Sequence, residues 1–373
     1  MGSGRDSISY ADIALIARGA AILGAGCGGD PYIGRLMAEQ ALQRSGDVTL
    51  VHPDDLPEDA VVFPVAMMGA PTVMVEKLPS GDQFAAAIRA LSTYLDRPPT
   101  HVACAEAGGI NSTIPIIAAA ELGLPLVNGD LMGRAFPELQ MVLPTLSGID
   151  CTPMSIADEK GNTGILTTRD NVWAERLART MTIEMGCSAI ISNFVMDAPT
   201  ARSTMAAGTL GLCRELGAAI EAARTGRRSA VDAVVETLGG RVVFSGKVID
   251  VARRTTTGFA RGTATIAPLG AASGETISLD FQNEHLLATR HTPDGDVVEV
   301  STPDLIIVLD AETGEPITTE ALRFGQRVSI LGAPCDERWH SPAGIALVGP
   351  RYFAYETDPV RAVPRTEKEL VTA

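Results

Sequence analysis

Histidine is scarce in this chain, with five among 373 residues, and no two of them stand in an HxxxH spacing. The six cysteines, Cys27, Cys104, Cys151, Cys187, Cys213 and Cys335, are scattered and form no CxxC pair. Ready-made zinc patterns are therefore absent, and a metal site would have to be assembled from distant carboxylates, thiols or single histidines. The same scatter argues against a disulfide framework and predicts reduced thiols in the cytoplasm. Positive charge is also short. Thirty Lys and Arg face 45 Asp and Glu, a formal net charge of −15 with a pI near 4.8. That balance excludes a nucleic-acid surface and a polybasic membrane anchor, both of which need clustered cations, and it suits a small-molecule substrate better. Long apolar runs are missing as well. Segments such as Ile114–Ala120 and Leu305–Leu309 fall far short of the ~20 residues that a membrane helix requires. The opening MGSGRDSISY has neither the layout nor the cleavage site of a secretory signal.

What is present is ample material for burial: 46% of residues are hydrophobic and 20% charged. The length favours about two domains. From the start to about residue 165, short apolar strands such as VTLV, AVVFPVAMMGAP and THVACAE alternate with helical segments such as FAAAIRALSTYL. This alternation predicts an α/β domain, its sheet largely parallel with helices on both faces. A helix is expected over 9–20, ending near Gly19, and another opening at Pro31. Residues 166–240 read as a helical connecting segment, with helices over 170–186 and 203–227 and an apolar face of Trp173, Leu177 and Met181. From 241 to 356, period-two runs broken by glycine and proline predict a β-rich domain. Residues 357–373 are expected to form a mobile tail.

The segment 126–143, LVNGDLMGRAFPELQMVL, stands apart. Asp130, Arg134 and Glu138 are spaced four apart and interrupted by Gly129, Gly133 and Pro137, more charge and glycine than a core element needs. If residues 130–136 form a helical turn, Asp130 and Arg134 can pair at i, i+4. The two glycines permit a positive φ or a close backbone approach. In CAEAGGINSTIP, Glu106 follows a strand end beside Gly108, Gly109, Asn111 and Ser112, at the carboxyl edge where open α/β sheets build their ligand crevice. Glu106 is a candidate base or metal ligand, with a turn carboxylate as the plainer alternative. The loop GAGCGGDP at 24–31 lacks the Lys-Ser/Thr of a P-loop. Gly28, Gly29 and Asp30 there either cradle a ligand or make a tight turn, and Cys27 reads as a passive thiol because no histidine is near in sequence. Glu76 and His52 are weaker candidates. In KVIDVARRTTTGFARG, Arg253 or Arg254 could hold a substrate carboxylate.

Taken together, GAGCGGDPYIGRL, MMGAPTVMVEKL, EAGGINSTIP, NGDLMGRAFPELQM, FSGKVIDVARRTTTGF, STPDLIIVLDAETGEPITTEALRFGQRV and GPRYFAYE resemble the S-methyl-thiohydantoin desulfurase family, over nearly all of residues 10–355. The resemblance implies an N-terminal α/β domain, a C-terminal β-rich domain and association with hydantoinase or oxoprolinase proteins. The activity it implies is hydrolysis of an S-methylated thiohydantoin to the hydantoin with loss of methanethiol. That chemistry needs an activated water, a stabilised charge shift and a clamp for a carboxylate. On this reading Glu106 and Asp130 activate water or hold a divalent metal such as zinc, Arg134 binds the ring or a carboxylate, and Glu138 supports them. Gly28, Gly29, Asp30, Asn111, Ser112 and Arg253 contact substrate. Self-association into a homo-oligomer is expected. The alternatives are a non-catalytic subunit of a hydantoinase or oxoprolinase assembly and a small-molecule binding protein.

Overall fold

The computed structural model describes residues 6–27, 31–69, 82–256, 259–269 and 274–362. These divide into two compact units, one running to residue 217 and including residue 259, the other comprising 218–256 and 260 onward. The first unit is built in chain order from β1 (Ser7–Ile8), α1 (Asp12–Leu23), α2 (Pro31–Ser45), β2 (Val48–Val51), β3 (Val61–Gly69), α3 (Asp82–Leu95), β4 (His101–Cys104), α4 (Ile114–Leu122), β5 (Leu126–Val127) and β6 (Gly129–Asp130). It continues through α5 (Leu143–Leu146), β7 (Met154–Ala157), β8 (Thr163–Leu166), α6 (Asn171–Glu184), β9 (Ser188–Ser192), β10 (Met196–Asp197), α7 (Ala198–Thr204) and β11 (Ala206–Ala207) into α8 (Thr209–Thr225).

The sheet is mixed. Its order is β1-β2-β5-β4-β3-β9-β7-β8, with β10 also on β3. Only the centre, β2-β5-β4-β3, is parallel, as the alternation of strands and helices predicts. The β7–β8 hairpin and the return of β9 add antiparallel strands on one side. Strand β3 runs straight through Pro64, whose carbonyl is satisfied by the Ser192 hydroxyl at 2.9 Å. Helix α4, IPIIAAAEL, is buried nearly all round, and Gly123 closes it in the left-handed region at φ 66°. Only a residue without Cβ adopts that conformation freely.

Three helical expectations need correction. Helix α1 runs past Gly19 to Leu23 and starts at Asp12, whose carboxylate accepts the Ser9 amide at 2.8 Å and hydroxyl at 2.6 Å. Gly19 is a packing glycine. A Cβ there would stand 1.9 Å from the Cys213 carbonyl oxygen, and one at Gly217 would stand 2.1 Å from that of Leu15, so the backbones of α1 and α8 touch. The segment 203–227 is not one helix, because β11 interrupts it to pair with β6. On α6 the predicted apolar face is the exposed one, with Trp173 at 39% and Leu177 at 41%, while Ala174, Ala178 and Thr182 face inward. Small side chains let α6 approach its neighbours closely; the larger ones are left at the surface.

The second unit opens with α9 (Ala230–Leu238), capped by the Ser229 hydroxyl and closed by Gly239. It then forms β12 (Arg241–Thr256), β13 (Phe259–Pro268), β14 (Thr276–Gln282), β15 (Glu284–Thr292), β16 (Gly295–Ser301), β17 (Leu305–Asp310) and β18 (Arg327–Ala333), followed by α10 (Pro342–Val348). These strands make an antiparallel sheet in the order β16-β15-β14-β13-β12-β18-β17. Alternate residues such as Val248, Ala264, Ile266, Ile277, Leu279, Ile306 and Ile330 fill its core, as a period of two requires. Among the described residues no helix is long and apolar enough to cross a membrane. All six cysteines are free thiols.

Candidate functional site

Strand β4 ends at Cys104 and the chain leaves the sheet through Glu106, Gly108 and a 3-10 turn over Gly109–Ser112 before entering α4. Asn111 fixes this crossover to the neighbouring strand. Its Oδ1 accepts the Met67 amide at 2.8 Å, and its Nδ2 donates to Glu106 Oε2 at 3.1 Å. The Glu106 carboxylate is thus held by a buried amide while part of the residue stays accessible. Gly108 lets the backbone pass: a Cβ there would meet Glu106 Oε1 at 3.0 Å, Ala135 Cβ at 3.1 Å and Gly24 Cα at 3.2 Å. The end of α1 and the segment after β6 are joined by the Ala135 amide, which donates to the Leu23 carbonyl at 3.1 Å. Three chain segments, at 24–27, 104–112 and 130–138, therefore converge on Glu106.

Asp130 is fully buried. It sits in β6, held there by pairing with β11, and its carboxylate is clamped by backbone: Oδ2 accepts the Ala107 amide at 2.8 Å and Oδ1 the Gly133 amide at 2.9 Å. Residues 131–134 are a succession of bends, with Gly133 at φ 78°, so the helical i, i+4 pair expected of Asp130 and Arg134 does not form. The reason is non-local. An amide 23 residues upstream caps the carboxylate and pulls the segment out of helical register. Arg134 is fully buried too, donating Nε to the Ala135 carbonyl at 2.9 Å, with its guanidinium 4.6 Å from the Phe136 ring centre. Glu138 is half-buried and accepts Gln140 Nε2 at 2.5 Å.

Burial dominates the electrostatics. It pushes the Glu106 carboxyl up to about 7, with the Asp130 charge adding to the shift and the Asn111 hydrogen bond and Arg134 charge opposing it. Burial likewise raises Asp130 to about 6, against the amides of Ala107, Gly133 and Met132 and the Thr209 hydroxyl. The thiols of Cys104 and Cys213 are driven upward by burial first and by Asp130 second. They stay protonated and are poor nucleophiles. A carboxyl near 7 is suited to taking and returning a proton at neutral pH.

Of the residues singled out from sequence, Glu106, Asp130, Arg134, Asn111 and Ser112 share this neighbourhood. Ser112 is fully buried beside Cys213. Gly28, Gly29, Asp30 and Glu76 lie outside the described residues. His52 accepts the Asp54 amide at 3.3 Å and caps a short turn. Arg253 belongs to the second unit, where it donates to the carbonyls of Thr319 and Leu322. No third Cys, His, Asp or Glu joins Glu106 and Asp130 in a metal-ligand set among the described residues. Sequence reasoning missed Asn128, Thr209 and Cys213. The Asn128 side chain accepts the Gly211 amide at 3.0 Å and ties α8 to the site; the glycine-flanked GTLG at the start of α8 is the one signal of it.

Two family descriptions match the chain: "S-Me-THD-like, N-terminal domain" over residues 11–168 and "S-Me-THD-like, C-terminal domain" over 169–362. A solved structure of a protein from Chromobacterium violaceum is similar with a TM-score of 0.80 at 21% identity, covering 95% of this chain and 99% of that one. That likeness speaks for the fold alone. No curated protein matches the chain.

Proposed function

The chain belongs to the S-Me-THD-like family, and on that premise we propose that it is a hydrolase acting on a five-membered cyclic imide or its thio analogue, converting an S-methyl-thiohydantoin to the hydantoin and methanethiol. The supporting observation is Glu106: a carboxyl raised to about 7 by burial and held by Asn111, on a residue that is itself only partly buried. Glu106 takes a proton from water as the oxygen attacks the ring carbon that bears sulfur. The C=N electron pair moves to the ring nitrogen. As it returns, the C–S bond breaks, Glu106 gives the proton to the departing thiolate, and the proton left on the added oxygen passes to the ring nitrogen, leaving the hydantoin carbonyl. One water is consumed, and the carbon keeps its oxidation state.

Asp130 has a different part in this scheme from the one first assigned to it. With both carboxylate oxygens taken by amides, it positions the 105–107 crossover and raises Glu106 through its charge. Arg134, buried against Phe136, opposes the rise of Glu106 through its charge. The test is methanethiol release over a panel of S-alkyl thiohydantoins, with plain hydantoins as controls. Release is expected from the S-methyl compound, and Glu106→Gln should lower it about 100-fold or more. Unchanged release by Glu106→Gln overturns the assignment. A compound that stabilises the protein to heat but emerges intact overturns the hydrolase reading.

A further inference from the structure

We propose that Asp304, Cys335 and His340, in the second unit, form a binding site for a thiophilic divalent cation of the zinc type. This does not depend on the reaction assigned to Glu106. The three residues come from separate segments: Asp304 from the turn between β16 and β17, Cys335 from the exit of β18, and His340 from the end of a 3-10 turn over Glu337–His340. One donor atom from each, a carboxylate oxygen, a thiol sulfur and an imidazole nitrogen, lies within 4.8 Å of the other two.

The arrangement is held from outside. Asp304 Oδ1 is 2.8 Å from His340 Nε2 and accepts the Cys335 amide at 3.2 Å, while Oδ2 accepts the Ala362 amide at 2.6 Å. Backbone donors behind a ligating carboxylate fix its orientation, as the supporting contacts of metal sites do. The turn that carries His340 is itself capped by Asp336, which accepts the Arg338 amide at 3.0 Å. Asp304 and His340 have side chains 1% and 8% exposed, whereas Cys335 is only partly covered and leaves a way in.

Ligands of a tetrahedral zinc lie roughly 2.0–2.3 Å from the ion, so donor atoms stand about 3–4 Å apart. The trio, with its donor atoms within 4.8 Å of one another and Asp304 Oδ1 2.8 Å from His340 Nε2, brackets that spacing. The mixed sulfur, nitrogen and oxygen set selects for zinc-type ions over magnesium or calcium, which prefer oxygen alone. Three protein ligands leave a fourth position for water or an external donor. The competing account is a buried Asp–His hydrogen bond with a bystander thiol.

Binding to the full chain decides between them. After chelator treatment and dialysis, zinc should bind at one equivalent per chain, and cobalt(II) should give the thiolate charge-transfer absorption of a tetrahedral site. Cys335→Ser and His340→Gln should each weaken zinc binding about 100-fold or more, with Cys187→Ser as the control that binds like the unaltered protein. In the unaltered protein, zinc should slow alkylation of Cys335 and leave Cys187 untouched, a readout that no folding defect can mimic. Absence of stoichiometric binding, equal binding by Cys335→Ser, or no protection of Cys335 overturns the proposal.

Discussion

At Glu106 one hydrogen bond opposes the rise that burial imposes on the carboxyl. Asn111 Nδ2 favours its ionised form, so Asn111→Leu should raise the carboxyl further and move the acid limb of the rate profile to higher pH. If Glu106 is the base proposed above, kcat/KM of the unaltered protein should rise with pH through about 7 as Glu106 ionises. Pre-steady-state or steady-state rates across pH 5–9 would show both effects, and a limb unmoved in Asn111→Leu would deny Asn111 this role. Asp130→Asn carries a structural prediction. Its new NH2 would face one of two backbone donors, the amide of Ala107 or of Gly133, and stability to urea should fall by about 1–3 kcal/mol. That NGDLMGRAFPEL and EAGGINSTIP are more than ordinary core segments is legible from their glycines and charges, and the Ala107–Asp130 bond brings them side by side. What each carboxylate does is not, since the Ala107–Asp130 and Met67–Asn111 bonds span 23 and 44 residues. No local pattern encodes partners so far away.

Among the elements, the helices and strands with strong periodicity can be read from sequence: α3, α4 with its Gly123 stop, and the strands beyond residue 240. Failures occur where packing overrides pattern. Gly19 looks like a helix stop but serves as the contact point of α1 on α8. Gly19→Ala would push a methyl to within 1.9 Å of the Cys213 carbonyl. The helices must then part, and calorimetry should register a loss of about 1–3 kcal/mol or more. Helix α6 shows the same competition, since its small residues are buried and its tryptophan is exposed. Its N-cap is an independent handle. Asp170 accepts the Trp173 amide at 2.9 Å, so Asp170→Ala should cost about 1 kcal/mol, measured against Asp170→Ser, which retains a cap.

For the whole molecule, the buried carboxyls predict how stability varies with pH. Glu106 rises from 4.5 to about 7 and Asp130 from 3.8 to about 6 on folding, so the native state holds their protons more tightly than the unfolded chain. Their contribution is complete below about pH 4 and is lost as pH climbs through 6 to 7, by on the order of a few kcal/mol. Asp158, Asp197 and Asp310, held below the ordinary value by local hydrogen bonds, act in the opposite sense and weaken the fold as pH drops below 3.8. Urea unfolding should therefore place the maximum near pH 4–5; a maximum at pH 8 would contradict the burial of Glu106 and Asp130. The mixed sheet and the division into two units follow from the order of the elements. Residues 218–240 belong with the β-rich unit through the packing of α9 on β18, a contact that no composition change marks.

The distribution of thiols has a practical consequence. Cys27, Cys104, Cys151 and Cys213 are sealed inside, while Cys187 and Cys335 are partly reachable. An alkylating reagent should thus consume two equivalents promptly and the other four only as the fold opens, so mass spectrometry of labelled chains can time the opening of the first unit without any added probe.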